Sequence, residues 1–311
     1  MIDNRNYYSS DNAVKFMSVS QFKAFSDCEA KTMAEISGDF QRESTTAMLI
    51  GSYVDAWFEG TLDAFRENHP EIFLKNGGLK ADFIQAETII KRVSDDPEFM
   101  KYMSGEKQKI FTGTIADVPF KGKLDSYHAG KCIVDLKVMR DFEPIWKNGE
   151  KLHFIEAWGY DIQGAVYQEL VRQATGEKLP FVICAVTKEK VPDIAIFSIP
   201  QERLDYCLDL VRNNAPHFSE IKKGLITPER CGKCDFCKST KKLDGVIDYR
   251  DMITWHVKPE NAPVSVSEIG NVITFPDVSE TVTEPTECKI KHKKKHRKKS
   301  KKKTGKIVIR L

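Results

Sequence analysis

Apolar side chains recur at helical spacing through the first third of the chain. Ile50, Val54 and Trp57 fall on one side of a predicted helix. Ser18 and Gln21 open another helical pattern with a capping-box sequence. The spacing predicts helices over about 18–36, 45–60, 61–68 and 80–93, preceded by a polar, loosely held segment over 1–17.

A change to alternating and continuous apolar runs marks the middle of the chain. Strands are predicted at about 108–116, 118–127, 131–138, 181–186 and 193–199. A helical pattern over 155–175 lies between the third and fourth strands, and another over 201–222 follows the last strand. The order of elements predicts an α/β fold, with a central mixed β-sheet flanked by helices and a helical N-terminal part.

Composition indicates a globular protein. Of the 311 residues, 41% are hydrophobic and 10% are aromatic, which is enough for a substantial core. The sequence contains no run of 18 apolar residues and no signal-peptide pattern, so we expect a cytoplasmic location and no membrane partner. Eight cysteines in such a chain indicate metal ligands or buried thiols before disulfides.

The net charge of +3 conceals two parts of opposite sign. Residues 289–311 carry 13 Lys or Arg and no Asp or Glu, which leaves 35 basic and 45 acidic side chains, a net of −10, in 1–288. A Pro-punctuated segment rich in Val, Ser, Glu and Thr precedes this tail. We therefore predict a domain over 1–253, a linker over 254–288, and a disordered lysine-rich tail that can bind polyanions such as DNA.

Two neighbouring predicted strands carry the candidate chemistry. Asp135 and Lys137 are two residues apart on one strand, so their side chains point to the same face. If the preceding strand pairs with this one, Asp125 lies beside them. Two carboxylates close together in a partly dry site repel each other, and a hard divalent cation relieves the repulsion. The alternative is a set of ordinary edge-strand charges that pair with their neighbours.

Two predicted helices add polar residues on single faces. Tyr160, Gln163 and Tyr167 form either a partly buried stripe or a ridge that contacts a substrate. Asp55 and Glu59 are four residues apart, either as exposed carboxylates or as part of a metal site. The sequence has no Gly-x4-Gly-Lys-Ser/Thr phosphate loop, so an ATP-driven motor is not expected.

Four motifs in order resemble those of the PD-(D/E)xK nuclease superfamily over about 18–240. They are Gly51-x3-Asp55-x3-Glu59, Gly-Lys-Leu-Asp125, Asp135-Leu-Lys137 and Tyr160-x2-Gln163-x3-Tyr167. The arrangement is similar to that of the RecB-like branch, which includes phage exonucleases of the RecE and lambda type. The resemblance implies a restriction-endonuclease-like core. Asp55 departs from the pattern, because many RecB-like relatives carry His at that position.

The resemblance also implies a metal-dependent site. The implied ligands of Mg²⁺ or Mn²⁺ are Asp55, Asp125, Asp135 and the carbonyl of Leu136. Lys137 would steady the nucleophilic water or the charge on the phosphate. Gln163 and Tyr167 would position the DNA backbone or the ligands of the metal.

The activity that the resemblance implies is that of a deoxyribonuclease, specifically a phage-recombination exonuclease that resects duplex ends inside a bacterial host cell. It further implies a single-strand annealing protein as partner and a ring-like homo-oligomer. One alternative is a CRISPR-adaptation-like or AddB-like nuclease that acts on single strands, although no helicase motif is present for the second. The other alternative is a DNA-binding protein whose nuclease site has decayed.

Cysteines form a second constellation. Cys231, Cys234 and Cys237 are spaced three apart, and Cys28 on the first predicted helix is a candidate fourth ligand. The arrangement is similar to the iron–sulfur staple of AddB-type and CRISPR-adaptation nucleases, which implies a 4Fe–4S cluster. Tetrahedral zinc and a chance cluster of free thiols are the alternatives. The remaining cysteines are assigned to the core (Cys132, Cys184 and Cys207) or to the tail as a free thiol (Cys288).

Overall fold

A five-stranded mixed sheet runs through the fold. The computed structural model describes residues 2–41, 44–147, 149–243 and 245–246. The strands are β1 Glu106–Ile115, β2 Val118–His128, β3 Cys132–Met139, β4 Ile145–Lys147, β5 Glu150–Leu152, β6 Phe181–Thr187 and β7 Ile194–Ser198. The main sheet has the order β1-β2-β3-β6-β7, in which β3 and β6 are parallel and the other neighbours are antiparallel, and β4 pairs with β5 in a separate hairpin.

Helices cover this sheet and precede it in the chain. The α-helices of the described residues are α1 Ser10–Lys15, α2 Val19–Asp27, α3 Glu29–Ser37, α4 Thr46–Glu59, α5 Leu62–Asn68, α6 Ala81–Ser94, α7 Pro97–Tyr102, α8 Phe154–Ala157, α9 Tyr160–Thr175, α10 Gln201–Lys222 and α11 Asp235–Ser239. A short 3₁₀ helix covers Pro70–Ile72. Most of the predicted elements are present with ends that agree within a few residues.

The strand β6 explains why helices lie on both faces of the sheet. Every residue of β6 is buried, and successive side chains enter two different apolar clusters. Phe181 and Ile183 pack in the cluster that includes α2, α9 and α10, whereas Val182 and Cys184 pack in the cluster that includes α4 and α6. A strand that is apolar on both sides requires a layer on each. The predicted α/β fold with a mixed central sheet is confirmed.

The segment before Met17 is predicted to be loosely held, but in the structure it is anchored to other parts of the chain. Met17 is 1% exposed and extends the sheet by a backbone bridge to Phe120 of β2. Lys121 donates from Nζ to the backbone oxygen of Tyr7, at 2.5 Å. Lys222, at the end of α10, donates to the backbone oxygens of Ala13 and Phe16 at 2.8 and 2.9 Å. These contacts come from distant parts of the chain, and the polar local sequence does not reveal them.

The helix predicted over 18–36 is in fact two helices. Cys28 lies between α2 and α3 with an extended backbone, φ −167° and ψ 108°. The segment before α11 contacts the break, because Ala30 N donates to the oxygen of Glu229 at 3.0 Å and Glu229 N donates to Glu29 Oε2 at 2.8 Å. The break therefore depends on a partner about 200 residues away. The helical spacing of apolar residues continues across Cys28, so the sequence pattern does not reveal the break.

A second predicted helix, over 155–175, is also divided. Gly159 separates α8 from α9 and adopts φ +62°, a left-handed conformation that glycine tolerates best. The helix α7 was not predicted, although Asp96 caps it by accepting from Phe99 N at 2.9 Å and Pro97 follows at the first helical position. The hairpin of β4 and β5 was also missed, because its strands are only three residues long.

The predicted boundaries at 253 and 288 lie outside the residues that the structure describes. The compact unit that contains the sheet is Met1–Leu243. The predicted linker over 254–288 and the lysine-rich tail over 289–311 lie outside the described residues. Within the described residues, no helix combines the length and the apolar character that crossing a bilayer requires.

Packing of α9 on β6 gives a stability prediction. A Cβ added to Gly164 would lie 2.4 Å from Phe181 Cδ1, inside a core that has no room to shift cheaply. Gly164→Ala should therefore lower the free energy of unfolding by about 1–3 kcal/mol, as overpacking does. Urea denaturation of the whole chain measures this.

Gly51→Ala in α4 is the matched control for that substitution. A Cβ at Gly51 would meet nothing within 4 Å, so the helix should gain about 0.5–1 kcal/mol from alanine. Equal effects of the two substitutions would contradict the close packing of α9 against β6.

Candidate active site

A cleft of about 400 Å³ opens where β2 and β3 separate. Acidic, basic and amide side chains from six elements meet there, namely α2, α4, β1, β2, β3 and α9. The sequence-predicted residues that line it are Asp55, Glu59, Asp125, Asp135, Leu136, Lys137, Gln163 and Tyr167. The structure therefore brings together in one cleft all the residues of the predicted carboxylate site.

Separation of two paired strands creates the cleft. The β2–β3 ladder ends at the pair Ser126 and Val134. At the next position Asp125 does not continue the ladder, and its Oδ2 instead accepts a hydrogen bond from the backbone N–H of Leu136 at 2.9 Å. A side-chain acceptor thus satisfies a backbone donor that strand pairing leaves free. The same bond holds the Asp125 carboxylate against β3.

Asp135 is fixed from two sides. Its side chain is 2% exposed, its Oδ1 accepts from Gln163 Nε2 at 2.8 Å, and its Oδ2 forms an ion pair with Lys137 Nζ. Gln163 lies on α9, so the helix that crosses from β3 to β6 orients a carboxylate of β3. A buried carboxylate held in this way loses little entropy when it binds a further group.

Lys137 remains a cation in this cleft. Burial by itself would lower the pKa of the Lys137 ammonium, but the carboxylates of Asp135 and Asp125 outweigh burial and raise the pKa above its usual value. The ammonium also lies 4.7 Å from the ring centre of Tyr160, within cation–π range. A fixed positive charge therefore stands beside the carboxylates.

Several carboxylates of the cleft lie close to one another and to the Lys137 ammonium. Burial, and then the nearby charge of Asp135, raise the pKa of Asp125 to about 7. Burial and then the charge of Asp125 raise the pKa of Asp55 well above its usual value. Carboxylates that share a poorly solvated cleft favour a hard divalent cation, and oxygen donors are the ligands that Mg²⁺ and Mn²⁺ prefer. The donor set fits the metal that the sequence predicts.

Tyr167 has a more internal position than its predicted contact with DNA would suggest. It is 8% exposed, and a Cβ on Gly122 of β2 would lie 2.9 Å from its ring. The ring of Tyr167 also lies edge-on to that of Phe181, with ring centres 6.3 Å apart. Tyr167 therefore packs β2 against α9 while it contributes to the wall of the cleft.

Two further residues of the cleft escaped the sequence analysis. Lys23 of α2 donates to the backbone oxygen of Trp158 at 2.9 Å, and burial together with the charge of Lys137 lowers the pKa of Lys23 to about 8. Gln108 of β1 has a left-handed backbone, φ +53°, and its Nε2 lies 3.5 Å from Asp125 Oδ1. Neither lies in a recognisable motif, and only the tertiary fold places them in the cleft.

The N-terminal segment supplies another part of the wall that was not predicted. Tyr7 and Tyr8 line the cleft together with Lys121 and Lys123 of β2. Lys123 could have been found from the sequence, because it is two residues before Asp125 and strand side chains alternate faces. The tyrosines could not, because they precede the first strand by about a hundred residues.

The four predicted cysteines also come together. One ligand atom from each lies within 4.8 Å of the others in Cys28, Cys231, Cys234 and Cys237. The closest sulfur pairs are 3.6 Å apart for Cys28 and Cys237, 3.8 Å for Cys234 and Cys28, and 3.9 Å for Cys231 and Cys237. Because these four thiols come from the two ends of the compact unit, their meeting argues against a chance cluster.

One member of this cysteine cluster favours its thiolate. Burial opposes the charge on Cys231, but the backbone N–H groups of Lys233 and Cys234 point at its sulfur, each at 3.4 Å, and lower its pKa to about 6. Burial raises the pKa of Cys234 to about 12 and that of Cys28 above its usual value. Because metals bind thiolates, a cation would favour the charged form of all four.

Comparisons with known proteins give two matches that bear on the family of this chain. Residues 18–240 match the family model described as "PDDEXK-like domain of unknown function (DUF3799)". The crystal structure of a "Putative exonuclease" from Eubacterium rectale is similar, with 46% sequence identity and a TM-score of 0.78, and the match covers 81% of this chain and 98% of that one.

Two other comparisons contribute nothing to the assignment. A crystal structure named SSO0001 is 11% identical over 73% of this chain and 98% of that one, but its TM-score of 0.27 is too low to support any conclusion. The search of curated proteins gives no significant match.

Crowding of carboxylates in the cleft leads to a prediction about Asp55. In metal-free protein, Asp55→Asn should raise the free energy of unfolding, because it removes a carboxylate whose charged form is disfavoured by burial and by the charge of Asp125. Addition of Mn²⁺ should stabilise the wild type and stabilise the variant less, because a ligand stabilises the state that binds it. Thermal denaturation with and without chelator measures both.

Asp63→Asn is the control for Asp55→Asn. Asp63 is on the neighbouring helix α5 with its side chain 97% exposed, so its replacement should change neither the stability nor the response to Mn²⁺. If Asp55→Asn destabilised the metal-free protein and responded to Mn²⁺ like the wild type, Asp55 would not belong to the metal site.

Proposed function

The chain belongs to the PDDEXK-like family DUF3799, and from that premise we propose that it is a metal-dependent deoxyribonuclease, specifically an exonuclease acting at DNA ends. The observation that carries the proposal is the meeting of Asp125, Asp135 and Lys137 at the point where β2 and β3 separate. Two carboxylates and a fixed ammonium in one open cleft suit hydrolysis of a phosphodiester.

Ligands for the metal come from three elements. We assign Asp125, Asp135 and Asp55 as carboxylate ligands of Mg²⁺ or Mn²⁺, with the Leu136 carbonyl as a further donor. Bound there, the metal would polarise the scissile phosphate and lower the pKa of a water molecule in the cleft. Gln163 acts through Asp135, because its amide holds the Oδ1 oxygen and leaves the carboxylate a single orientation.

Lys137 stabilises the negative charge that develops on the phosphate during hydrolysis. Its ammonium is held beside Asp135, and its raised pKa keeps it protonated at neutral pH. It can donate to a phosphate oxygen as negative charge grows there, or hold the attacking water by a hydrogen bond. Water then adds to phosphorus and gives up a proton to the solvent, while the bond from phosphorus to the leaving oxygen breaks and that oxygen takes up a proton. No covalent bond forms between enzyme and DNA.

The proposed biological role is resection of duplex ends in phage-type recombination. The similarity to a protein named as an exonuclease supports it, and so does the resemblance to RecE-type and lambda-type enzymes. A nuclease for single strands is the second candidate, because the cysteine cluster is similar to that of AddB-type and CRISPR-adaptation enzymes. The complete set of Asp125, Asp135 and Lys137 disfavours a DNA-binding protein with a decayed site.

We further propose that the four cysteines hold a metal. A tetrahedral zinc ion with Zn–S bonds of about 2.3 Å places its sulfurs about 3.8 Å apart. The measured pairs, at 3.6 to 3.9 Å, fit that edge. In an iron–sulfur cluster each thiolate binds a different iron, which requires wider spacing. The sulfur distances thus favour zinc, whereas the resemblance to iron–sulfur nucleases favours a 4Fe–4S cluster.

Digestion of defined DNA substrates tests the nuclease proposal. Wild-type protein should degrade linear duplex DNA with Mg²⁺ or Mn²⁺ and leave it intact with chelator. Asp135→Asn should reduce the rate about 100-fold or more while circular dichroism remains unchanged, because it removes a metal ligand and keeps the contact with Gln163. The control is Asp209→Asn on α10, whose carboxylate is 67% exposed and outside the cleft.

Circular duplex and single strands complete that assay. Cleavage of circles would exclude an exonuclease, and exclusive degradation of single strands would favour the second candidate. If no substrate were cut by wild-type protein with either metal, the nuclease proposal would be wrong.

Metal analysis tests the cysteine cluster. Purified protein should contain either about one zinc ion per chain and be colourless, or iron and sulfide with a brown colour. Cys28→Ser should release the metal and lower the unfolding temperature, because the cluster closes a loop of roughly 200 residues. Cys132→Ser, at a half-buried cysteine outside the cluster, should keep it. Folded wild-type protein that lacks any metal would contradict the proposal.

A further inference from the structure

Two neighbouring tyrosines of the N-terminal segment form part of the cleft wall. Tyr7 is 6% exposed, whereas Tyr8 is 75% exposed. Their rings meet edge to face, with centres 4.9 Å apart and planes at 82°. The buried ring therefore supports the exposed one from the side and leaves it open to the cleft.

Single exposed aromatic residues are common on protein surfaces and need no explanation by themselves. Tyr8 differs from that ordinary case by its surroundings. It lines the same cleft as Asp125 and Asp135, at the site proposed to hold the scissile phosphate. A large apolar ring left in water beside a polar reaction site requires a reason of its own.

Basic side chains of β2 accompany the two rings. Lys123 Nζ lies 5.0 Å from the ring centre of Tyr8 and 5.7 Å from that of Tyr7. Within the described part of the chain, Lys123 has no carboxylate partner within salt-bridge distance. Its ammonium is therefore available to a phosphate without breaking an ion pair.

The segment that carries the tyrosines is held in place. Lys121 Nζ donates to the backbone oxygen of Tyr7 at 2.5 Å and lies 4.6 Å from the ring centre of the same residue. The segment ends at Met17, whose backbone donates to the oxygen of Pro119 at 2.8 Å. An aromatic ring on an anchored backbone is preorganised, so stacking on it costs little ordering entropy.

An aromatic face next to a free ammonium is the combination that recognises a nucleotide. Bases stack on tyrosine rings, and a lysine beside the ring contacts the phosphate that joins successive nucleotides. Inside a duplex the faces of each base are covered by the bases above and below it, so a side chain stacks most readily on an unstacked base of a single strand. The cleft of about 400 Å³ is in the range that holds a single small ligand, which suits one nucleotide better than a base pair with its two backbones.

We infer that Tyr8, supported by Tyr7 and Lys123, is a stacking subsite for one unpaired nucleobase of the strand whose phosphate lies at Asp125 and Asp135. The inference rests on the proposed nuclease function and adds to it the form of the substrate. The strand enters the cleft single-stranded at the nucleotide next to the scissile phosphate, whether it comes from a frayed duplex end or from single-stranded DNA.

An abasic scan tests this subsite. The probe is a short fluorescein-labelled single strand of DNA, bound at fixed salt to the full chain carrying Asp135→Asn so that it is not cut. In successive probes one nucleotide at a time lacks its base. With Tyr8 present, one position should show about 5- to 150-fold weaker binding by fluorescence anisotropy, as loss of one aromatic stack does.

Replacement of the ring should remove that sensitivity. Tyr8→Ala should weaken binding of the intact probe by the same factor and show no further loss with the abasic probe at the sensitive position. Tyr8→Phe keeps the ring and should behave like tyrosine. Tyr206→Ala, at a tyrosine that is 60% exposed on α10 and does not line the cleft, should leave the scan unchanged.

The outcomes separate this inference from the proposed activity. If Tyr8→Ala left the scan unchanged, or weakened intact and abasic probes equally, the stacking subsite would be wrong even though wild-type protein cleaves DNA. If wild-type protein cut no DNA with either metal, the nuclease proposal would fail whatever the scan showed. Absence of any binding to the probes would overturn the stacking subsite as well.

Discussion

The hydrogen bond from Leu136 N–H to the Asp125 carboxylate is the contact on which the cleft depends. It replaces the next rung of the β2–β3 ladder, so the strands separate and the acids of both face one space. An ordinary continuation of the ladder would satisfy the same backbone donor and close the cleft. The sheet thus gives up regular pairing at one position. In return it holds two carboxylates at a distance that neither strand alone could set.

Charge repulsion in the cleft is the cost of that arrangement. Asp55, Asp125 and Asp135 lie in poorly solvated surroundings, and the ammonium of Lys137 offsets part of their repulsion. Functional sites often retain such unfavourable contacts because the ligand removes them. The large apolar clusters on both faces of β6 supply the stability that tolerates this. A cation in the cleft would convert a destabilising cluster into a stabilising one.

Periodicity explains why part of this could be read from the sequence. The alternation of strand side chains placed Asp135 and Lys137 on one face, and helical spacing placed Gln163 and Tyr167 on another element facing them. These rules act over a few residues, and the structure follows them. They could not bring Asp55 of α4 to the same cleft. That placement followed from the resemblance of motif order.

What the sequence could not show depends on contacts between distant residues. The break at Cys28 follows from hydrogen bonds to the segment around Glu229, and the ordering of residues before Met17 follows from β2 and Lys222. Gln108 adopts a left-handed backbone that its side-chain type disfavours, opposite the position where β2 leaves its pairing with β3. Local propensity predicts none of these, because each is imposed by a partner far along the chain.

The break at Cys28 lies between the cleft and the cysteine cluster. α2 is nine residues long, carries Lys23 into the cleft and ends next to Cys28 of the cysteine cluster. Its apolar side is fixed on α10, where Phe22 and Phe25 each lie 5.3 Å from the ring centre of Phe218. A metal at the four cysteines would therefore hold one end of α2, the short helix from which the Lys23 side chain enters the cleft. Such a metal would affect the cleft by fixing the position of α2, and with it the position of Lys23.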